Sequence, residues 1–452
     1  MRNSEFSRRR FMRKISLGAA AATTIPHILL GRNYEDLILR RMSFSANDQI
    51  QIALIGAGGM GTEDTKTALK IPGVKLVAVC DLYKGRLAAA KDRWGGDIKV
   101  EGDYHEILEM GDVDAVIVGT PDHWHKQISV DAMNKGKSVY CEKPMVHSID
   151  EGMEVLKVQD KTGMIFQVGS QGMSSLGNEK AKELYEAGAI GELNYAEGFW
   201  ARNSPAGAWQ YAIPADASSE TVDWTRYISN TTHRSFDPLR FFRWRNYRDY
   251  GTGVSGDLFV HLFSSLHYIV SSSGPDKIMA TGGLRYWKDG REVPDILLGM
   301  FDYPETKSHP AFNLSLRVNF VDGTSGSTYL RLVGNEGAMD VKWEEVVLRK
   351  NISTGPADDP FLKAKAGEQV TNYSRKQMLP PKEAIYKAEN NYKGAHYDHF
   401  HNFFNGVRNA KLVHEDALFG YRAAAPALAC NESYFENKII HWDPENLKIV
   451  NG

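Results

Sequence analysis

The stretch from Gln51 to Asp81 constrains the fold more than any other. Gln51–Ile55 is a short apolar run, Gly56-Ala57-Gly58-Gly59-Met60-Gly61 follows it, and the pattern then turns helical to about Ile71. Strand, glycine turn and helix, in that order, form the G-x-G-x-x-G turn that holds a dinucleotide pyrophosphate. Gly56 allows the tight turn, Gly58 lets the backbone approach the anion, and Gly61 lets the helix pack against the strand; Gly59 and Met60 complete the loop. The next apolar run, Val74–Cys80, ends on Asp81, twenty residues after Gly61. A carboxylate there accepts hydrogen bonds from the adenosine ribose and repels a 2′-phosphate, which favours NAD over NADP.

The alternation continues. Leu82–Trp94, Tyr104–Met110, Lys126–Asn134 and Asp150–Thr162 read as helices, and Val113–Val118, Ser138–Cys141 and Met164–Val168 as strands. This predicts a doubly wound parallel sheet of about six strands. Ligands gather at the carboxyl ends of such strands. Those ends carry Thr120, Pro121, His123 and His125 after one strand, Glu142-Lys143-Pro144 after the next, and Gln171 after the last. Pro144 removes a backbone donor and keeps Lys143 extended, which suits a chain leaving a sheet. Glu-Lys-Pro alone reads more readily as a solvated loop, and only its surroundings change that.

From Asn178 the character shifts. Glu179–Ala187 is helical, Leu193–Trp200 is apolar, and an irregular aromatic and basic region runs to about Tyr250. Alternating patterns at Ile296–Asp302, Ala311–Phe320, Ser327–Leu332, Ala338–Val341 and Val346–Arg349 predict an antiparallel sheet with one face buried. Gly355–Lys387 reads as a loop, and Tyr397–Val407 and Ala417–Glu436 as helices. The expected architecture is a Rossmann-type doubly wound domain over 46–172. An α+β domain with a large open, mainly antiparallel sheet follows over 173–395, and C-terminal helices over 396–452 pack back on both.

The length, 452 residues, suits two domains, and 42% hydrophobic with 24% charged residues is an ordinary globular mixture. A formal net charge of -2 gives no basic field for nucleic acid. Cys80, Cys141 and Cys430 make no disulfide framework. At the N-terminus, Ser7-Arg8-Arg9-Arg10-Phe11-Met12 precedes a short apolar stretch, Ile15–Ala22, too short to span a bilayer. The pattern looks like a twin-arginine export signal. Residues 1–45 are accordingly expected to be a cleaved signal and linker, the protein to meet the twin-arginine machinery, and its location to be periplasmic.

Glycines give way to an apolar helix at Gly251–His261, with Asp257 and His261 on one face at i, i+4. The pair has the spacing of a metal half-site, or of a helix cap beside a core histidine. No further ligand with matching spacing lies nearby, and no metal is expected.

The glycine turn, Thr120-Pro121-x-x-x-His125, Glu142-Lys143-Pro144 and Asp257-x-x-x-His261 occur in the order seen in the Gfo/Idh/MocA oxidoreductases, which the sequence resembles over nearly its whole mature length. The resemblance implies that Lys143, Asp257 and His261 form a catalytic triad. His261 would be the base for a sugar or polyol hydroxyl, Lys143 would hold its oxygen, and Asp257 would orient or tune His261. It also implies that Thr120, His125, Glu142 and Gln171 line the nicotinamide and its ribose. The cofactor is expected to be tightly bound NAD, and the protein a homodimer or homotetramer. NAD-dependent glycosidases of the same superfamily, which oxidise the sugar transiently, give the alternative, a redox-neutral glycosidase or lyase. Aromatics and arginines suit a sugar's faces and hydroxyls, so Arg202, Trp209, Arg245 and Tyr247 are candidate substrate contacts, and the resemblance adds His396, before a C-terminal helix that the family brings to the site.

Overall fold

A computed structural model of the chain describes residues 49–323, 327–350 and 382–450. The export-signal expectation falls outside them, as do 351–381.

Short apolar strands and the helices between them build the first sheet. Its elements are β1 (Ile50–Ile55), α1 (Gly59–Ala68), β2 (Val74–Cys80), α2 (Lys84–Trp94), β3 (Lys99–Glu101), α3 (Tyr104–Leu108), β4 (Ala115–Val118), α4 (His125–Asn134), β5 (Ser138–Glu142), α5 (Gly152–Thr162) and β6 (Phe166–Gly169). The six strands are parallel, in the order β3-β2-β1-β4-β5-β6. β4 and β5 are buried at every residue, as a sheet covered on both faces requires. The order reverses between β1 and β4, and that switch point opens a crevice at their carboxyl ends. Gly56 turns there with φ +95°, and a Cβ on it would stand 2.6 Å from the Thr120 nitrogen, so no side chain fits. β5 runs one residue past the apolar pattern, to Glu142, which pairs with Gly169. The Lys143–Pro144 peptide that follows is cis.

After α6 (Leu176–Glu186), capped by the Ser175 hydroxyl, β7 (Leu193–Ala201) enters the second sheet. The short helices α7 (Trp224–Tyr227) and α8 (Pro238–Phe242) lie in the aromatic region, and α9 (Val260–Val270) ends it. The remaining strands are β8 (Lys277–Gly283), β9 (Ile296–Tyr303), β10 (Phe312–Asn319), β11 (Thr328–Gly334), β12 (Gly337–Lys342), β13 (Glu345–Lys350) and β14 (Lys382–Lys387). Helices α10 (Ala395–Asn409) and α11 (Ala417–Glu436) follow, then β15 (Ile440–Asp443) and β16 (Lys448–Val450). Ten strands form one open sheet in the order β14-β13-β12-β11-β7-β10-β9-β8-β15-β16, antiparallel except for β7 beside β10. Alternation of buried and exposed residues along β10 marks one face as core.

The sheet is larger than the sequence pattern implied. β14 lies at the end of the stretch read as a loop, and it is an edge strand without a buried face to announce it. β8 carries Gly282, whose missing side chain admits the Ile296 carbonyl oxygen. β15 is only four residues long and follows the C-terminal helices. The helix expected from the glycines at 251 begins instead with a widened π turn over Ser255–Phe259. α11 touches β8 and α9 on one side and α5 and β6 on the other, and α10 packs on α1.

Candidate active site

The carboxyl ends of β1, β4 and β5 open into a cavity of about 500 Å³ that runs from the glycine turn to α9. At one end lie Gly56, Gly58, Gly59 and Met60. α1 begins on Gly58 with no side-chain cap and no acidic residue in its first turn, so its free N–H groups and positive dipole end face the cavity. A Cβ on Gly58 would meet nothing nearer than Arg86 at 3.9 Å, and one on Gly59 nothing within 4 Å. The backbone is therefore open to an approaching anion. Asp81 sits at the tip of β2, where its Oδ2 accepts from the Ala57 amide at 2.8 Å and its Oδ1 from the Tyr83 amide at 2.9 Å. Arg86 stands 3.5 Å from the same carboxylate. The Thr120 hydroxyl is buried and has no partner among the described residues. An uncapped helix end, an open glycine cradle, a fixed carboxylate and an orphan hydroxyl fit a dinucleotide.

At the other end, Lys143 Nζ donates to Asp257 Oδ1 at 2.8 Å and to the Asp257 carbonyl at 2.9 Å, within the π turn. Widened turns of this kind recur at functional sites. Arg245 Nε donates to the same Asp257 oxygen at 3.1 Å. Burial alone would raise the Asp257 carboxyl, but the Lys143 and Arg245 charges outweigh it and hold the group well below the usual carboxylate range. His261 lies one turn on, its ring stacked on Trp200 with centroids 5.1 Å apart. Burial, and then the Lys143 charge, hold it neutral, far below an ordinary histidine; the Asp257 charge works the other way. No hydrogen bond joins Asp257 to His261 among the described residues, and His261 Nδ1 has no partner there. Asp257 therefore orients Lys143 and acts on His261 through its charge.

A second buried cluster begins one residue before Lys143. Gln171 Nε2 donates to Glu142 Oε1 at 2.5 Å. Asp64, on the inner face of α1, is fully buried and meets His396 Nε2 at 2.9 Å. Burial pushes Asp64 up to about 8, with hydrogen bonds from the Glu142 and Gln171 side chains opposing it. Burial, then the Asp64 charge, lifts Glu142 far above a normal carboxyl.

Of the sequence candidates, Gly56, Gly58, Gly59, Met60, Asp81, Thr120, Pro121, Glu142, Lys143 and Gln171 line the cavity, as do Arg202, Trp209, Arg245, Asp257 and His261. Five stand behind its wall. Gly61 packs α1 on β1, a Cβ there meeting the Gly56 carbonyl oxygen at 2.2 Å. The His125 ring bridges the carbonyls of Pro144 at 2.7 Å and Thr120 at 2.8 Å, tying together the exits of β4 and β5. His123 is buried against the Tyr250 and Tyr227 carbonyls. Tyr247 lies under the Arg240 guanidinium, and His396 meets Asp64 rather than the cavity. Sequence reasoning missed Asp64, whose only signal is a carboxylate on the packed side of a helix. It also missed the nucleotide-end wall of Arg86, Arg226, Tyr227, Phe241 and Phe242, which the aromatic region folds over from far along the chain. Among the described residues no group of three or more His, Cys, Asp or Glu is arranged to hold a metal ion.

The fold and its glycine turn define a class, and comparison with known proteins agrees. Residues 50–170 match the Gfo/Idh/MocA model, described as an oxidoreductase family with an NAD-binding Rossmann fold. The scyllo-inositol 2-dehydrogenase (NAD(+)) of Bacillus subtilis (strain 168) is 34% identical over 152 residues, 33% of this chain and 44% of that protein. A glycosyl hydrolase family 109 protein of Shewanella baltica (strain OS155 / ATCC BAA-1091) is 25% identical over 296 residues, 62% of this chain and 57% of its own. The matches thus span about half the length of these curated relatives. In three dimensions a levoglucosan dehydrogenase, solved in complex with NADH and levoglucosan, superposes with a TM-score of 0.65 at 17% identity, covering 87% of this chain and 99% of that one. That likeness extends the shared fold through the second sheet.

Proposed function

We propose that the chain is an NAD-dependent oxidoreductase of the Gfo/Idh/MocA family that acts on a hydroxyl of a sugar or glycoside. One observation carries this reading: a lysine fixed by a buried aspartate beside a neutral histidine, in the same cavity as the glycine turn. The glycine turn, Asp81 and Thr120 would hold the dinucleotide, and Glu142 and Gln171 would flank its inner end. When bound, the nicotinamide supplies the hydride acceptor. Lys143 holds the substrate oxygen by a hydrogen bond and stabilises the negative charge that grows there as the C–H bond breaks. His261, kept neutral, takes the hydroxyl proton. Asp257 holds Lys143 in place. Trp200 beneath the imidazole keeps it from turning.

The test is a screen of sugars and polyols with the purified protein, followed by nucleotide absorbance with NAD and NADP in parallel. NADH formation that is lost in Lys143→Ala and in His261→Ala is expected; activity surviving both substitutions refutes the mechanism. Mass spectrometry of the protein as purified is expected to find NAD already bound.

The resemblance to a glycosyl hydrolase family 109 protein over 62% of this chain favours one alternative. In it a hydride would pass from the sugar to the bound nucleotide and return after the glycosidic bond has eliminated, with the same residues handling the proton and the oxygen. Aglycone release without net NADH, abolished by Lys143→Ala, identifies that reaction. The Arg-Arg-x-Phe motif supports export by the twin-arginine route to the periplasm, and cell fractionation after exchange of Arg8 and Arg9 for lysine tests it. A homodimer or homotetramer is part of the same proposal, to be read by light scattering.

A further inference from the structure

Three cations line the substrate end of the cavity, Lys143, Arg202 and Arg245, against one ionised carboxylate, Asp257. A single oxygen of that carboxylate, Oδ1, receives both Lys143 Nζ and Arg245 Nε. Burial raises the neighbouring acid, Glu142, well above an ordinary carboxyl and so disfavours its charged form.

Neither arginine places a terminal nitrogen on a carboxylate of a described residue, unlike several others in the same region. Arg226 sits on Asp223 and Asp103, Arg240 on Glu292, and Arg291 on Asp289. Arg245 uses only Nε, and no described residue accepts from its two terminal nitrogens. Its guanidinium lies 4.2 Å over the Trp244 ring, which fixes the plane of the fork. Arg202 donates Nη1 to the Gly207 carbonyl at 3.0 Å, packs over Phe320, and makes no ion pair with any described residue. A guanidinium fork held rigid with outer donors left over, as on Arg245 and on Nη2 of Arg202, is matched to an oxyanion, which accepts two of them at once.

We propose that the substrate carries an anionic group beside its reacting hydroxyl, and that Arg202 and Arg245 are the receptor for it. The inference rests on the sugar-oxidising reading and narrows the substrate to an acidic sugar. The shared chemistry is an oxyanion, borne as a carboxylate in a uronic acid or as a phosphate or sulfate ester.

The test uses the full-length protein saturated with NAD. Glucose, galactose and mannose are each titrated beside their 6-carboxylate, 6-phosphate and 6-sulfate counterparts, and binding is read by calorimetry apart from turnover. At least one charged member is expected to bind about tenfold or more tightly than its neutral parent, with the advantage shrinking as salt rises. Arg202→Gln is expected to bring that ratio close to one, and Arg202→Lys to restore part of it. A merely structural Arg202 would weaken charged and neutral sugars alike. The proposal is overturned if no charged sugar outbinds its neutral parent, including a panel in which nothing binds, or if the ratio survives Arg202→Gln. Charged sugars that bind selectively without yielding NADH would refute the oxidoreductase reading and leave this one standing. Turnover of neutral sugars without preference would do the reverse.

Discussion

Glu142 and Lys143 are neighbours in the chain, yet they head two clusters that meet burial in opposite ways. On the Lys143 side, Asp257 is buried and stays ionised because two cations reach it. On the Glu142 side, Asp64 is equally buried, its partners are another carboxyl, an amide and a histidine, and the pair retains a proton instead. Burial is common to both. The difference lies in whether a cation arrives from elsewhere in the chain. A site that must stabilise charge during reaction needs the first solution, and a neutral floor beneath it needs the second.

Four substitutions test that contrast. Lys143→Met should have the largest effect, lowering kcat/KM by roughly 10³-fold, since it removes a donor to the developing oxyanion; steady-state kinetics on whichever sugar is turned over would read it. Asp257→Asn should lower folding stability at neutral pH by about 3–5 kcal/mol, because it strands two buried cations. Asp257 is held below its ordinary value, so the stability it lends is present above the usual carboxylate range and is lost as pH falls through the depressed one. The deficit of the variant, measured by denaturant titration, should therefore shrink only in strong acid.

Asp64→Asn should behave in the reverse sense. Its carboxyl is raised from 3.8 to about 8, so the folded protein keeps a proton that the unfolded chain releases. The stability this lends is complete below the unfolded value and is lost as pH rises through the folded one. The folding stability of the variant, relative to the parent, should climb between pH 3.8 and pH 8 and level off above, with a slope of at most roughly 1.4 kcal/mol per pH unit. Glu142→Gln should be the mildest, within about 1 kcal/mol at neutral pH, because it replaces a carboxyl that burial already shifts toward its neutral form with an amide of the same shape. A Glu142→Gln variant as unstable as Asp257→Asn would erase the distinction between the two clusters.

Much of this was legible in the sequence, for reasons that differ by region. The parallel sheet announces itself through local signals: β-rich apolar runs, a glycine turn that no other residue can make at Gly56, and Asp81 at a set distance. The second sheet is harder to see at its margins, where β14 and β16 are edge strands and β8 contains two glycines. Within the site, Lys143, Asp257 and His261 stand out by type and spacing, but their connectivity does not. The i, i+4 relation placed Asp257 and His261 on one face, but it gave no sign that the carboxylate hydrogen-bonds Lys143, 114 residues earlier in the chain. Such a pairing depends on how β5 and the π turn are brought together, and no local pattern encodes it. Asp64 stayed hidden for the same reason, since its partners come from β5 and α10.

The indoles around the cavity have an optical consequence. Trp209 and Trp244 line it, and Trp200 lies flat against His261. Tryptophan emits where a reduced nicotinamide absorbs, and it is quenched by a protonated imidazole in contact with it. The protein's own fluorescence is thus placed to report two separate events, the redox state of a bound nucleotide through energy transfer and the charge on His261 through Trp200, without any added label.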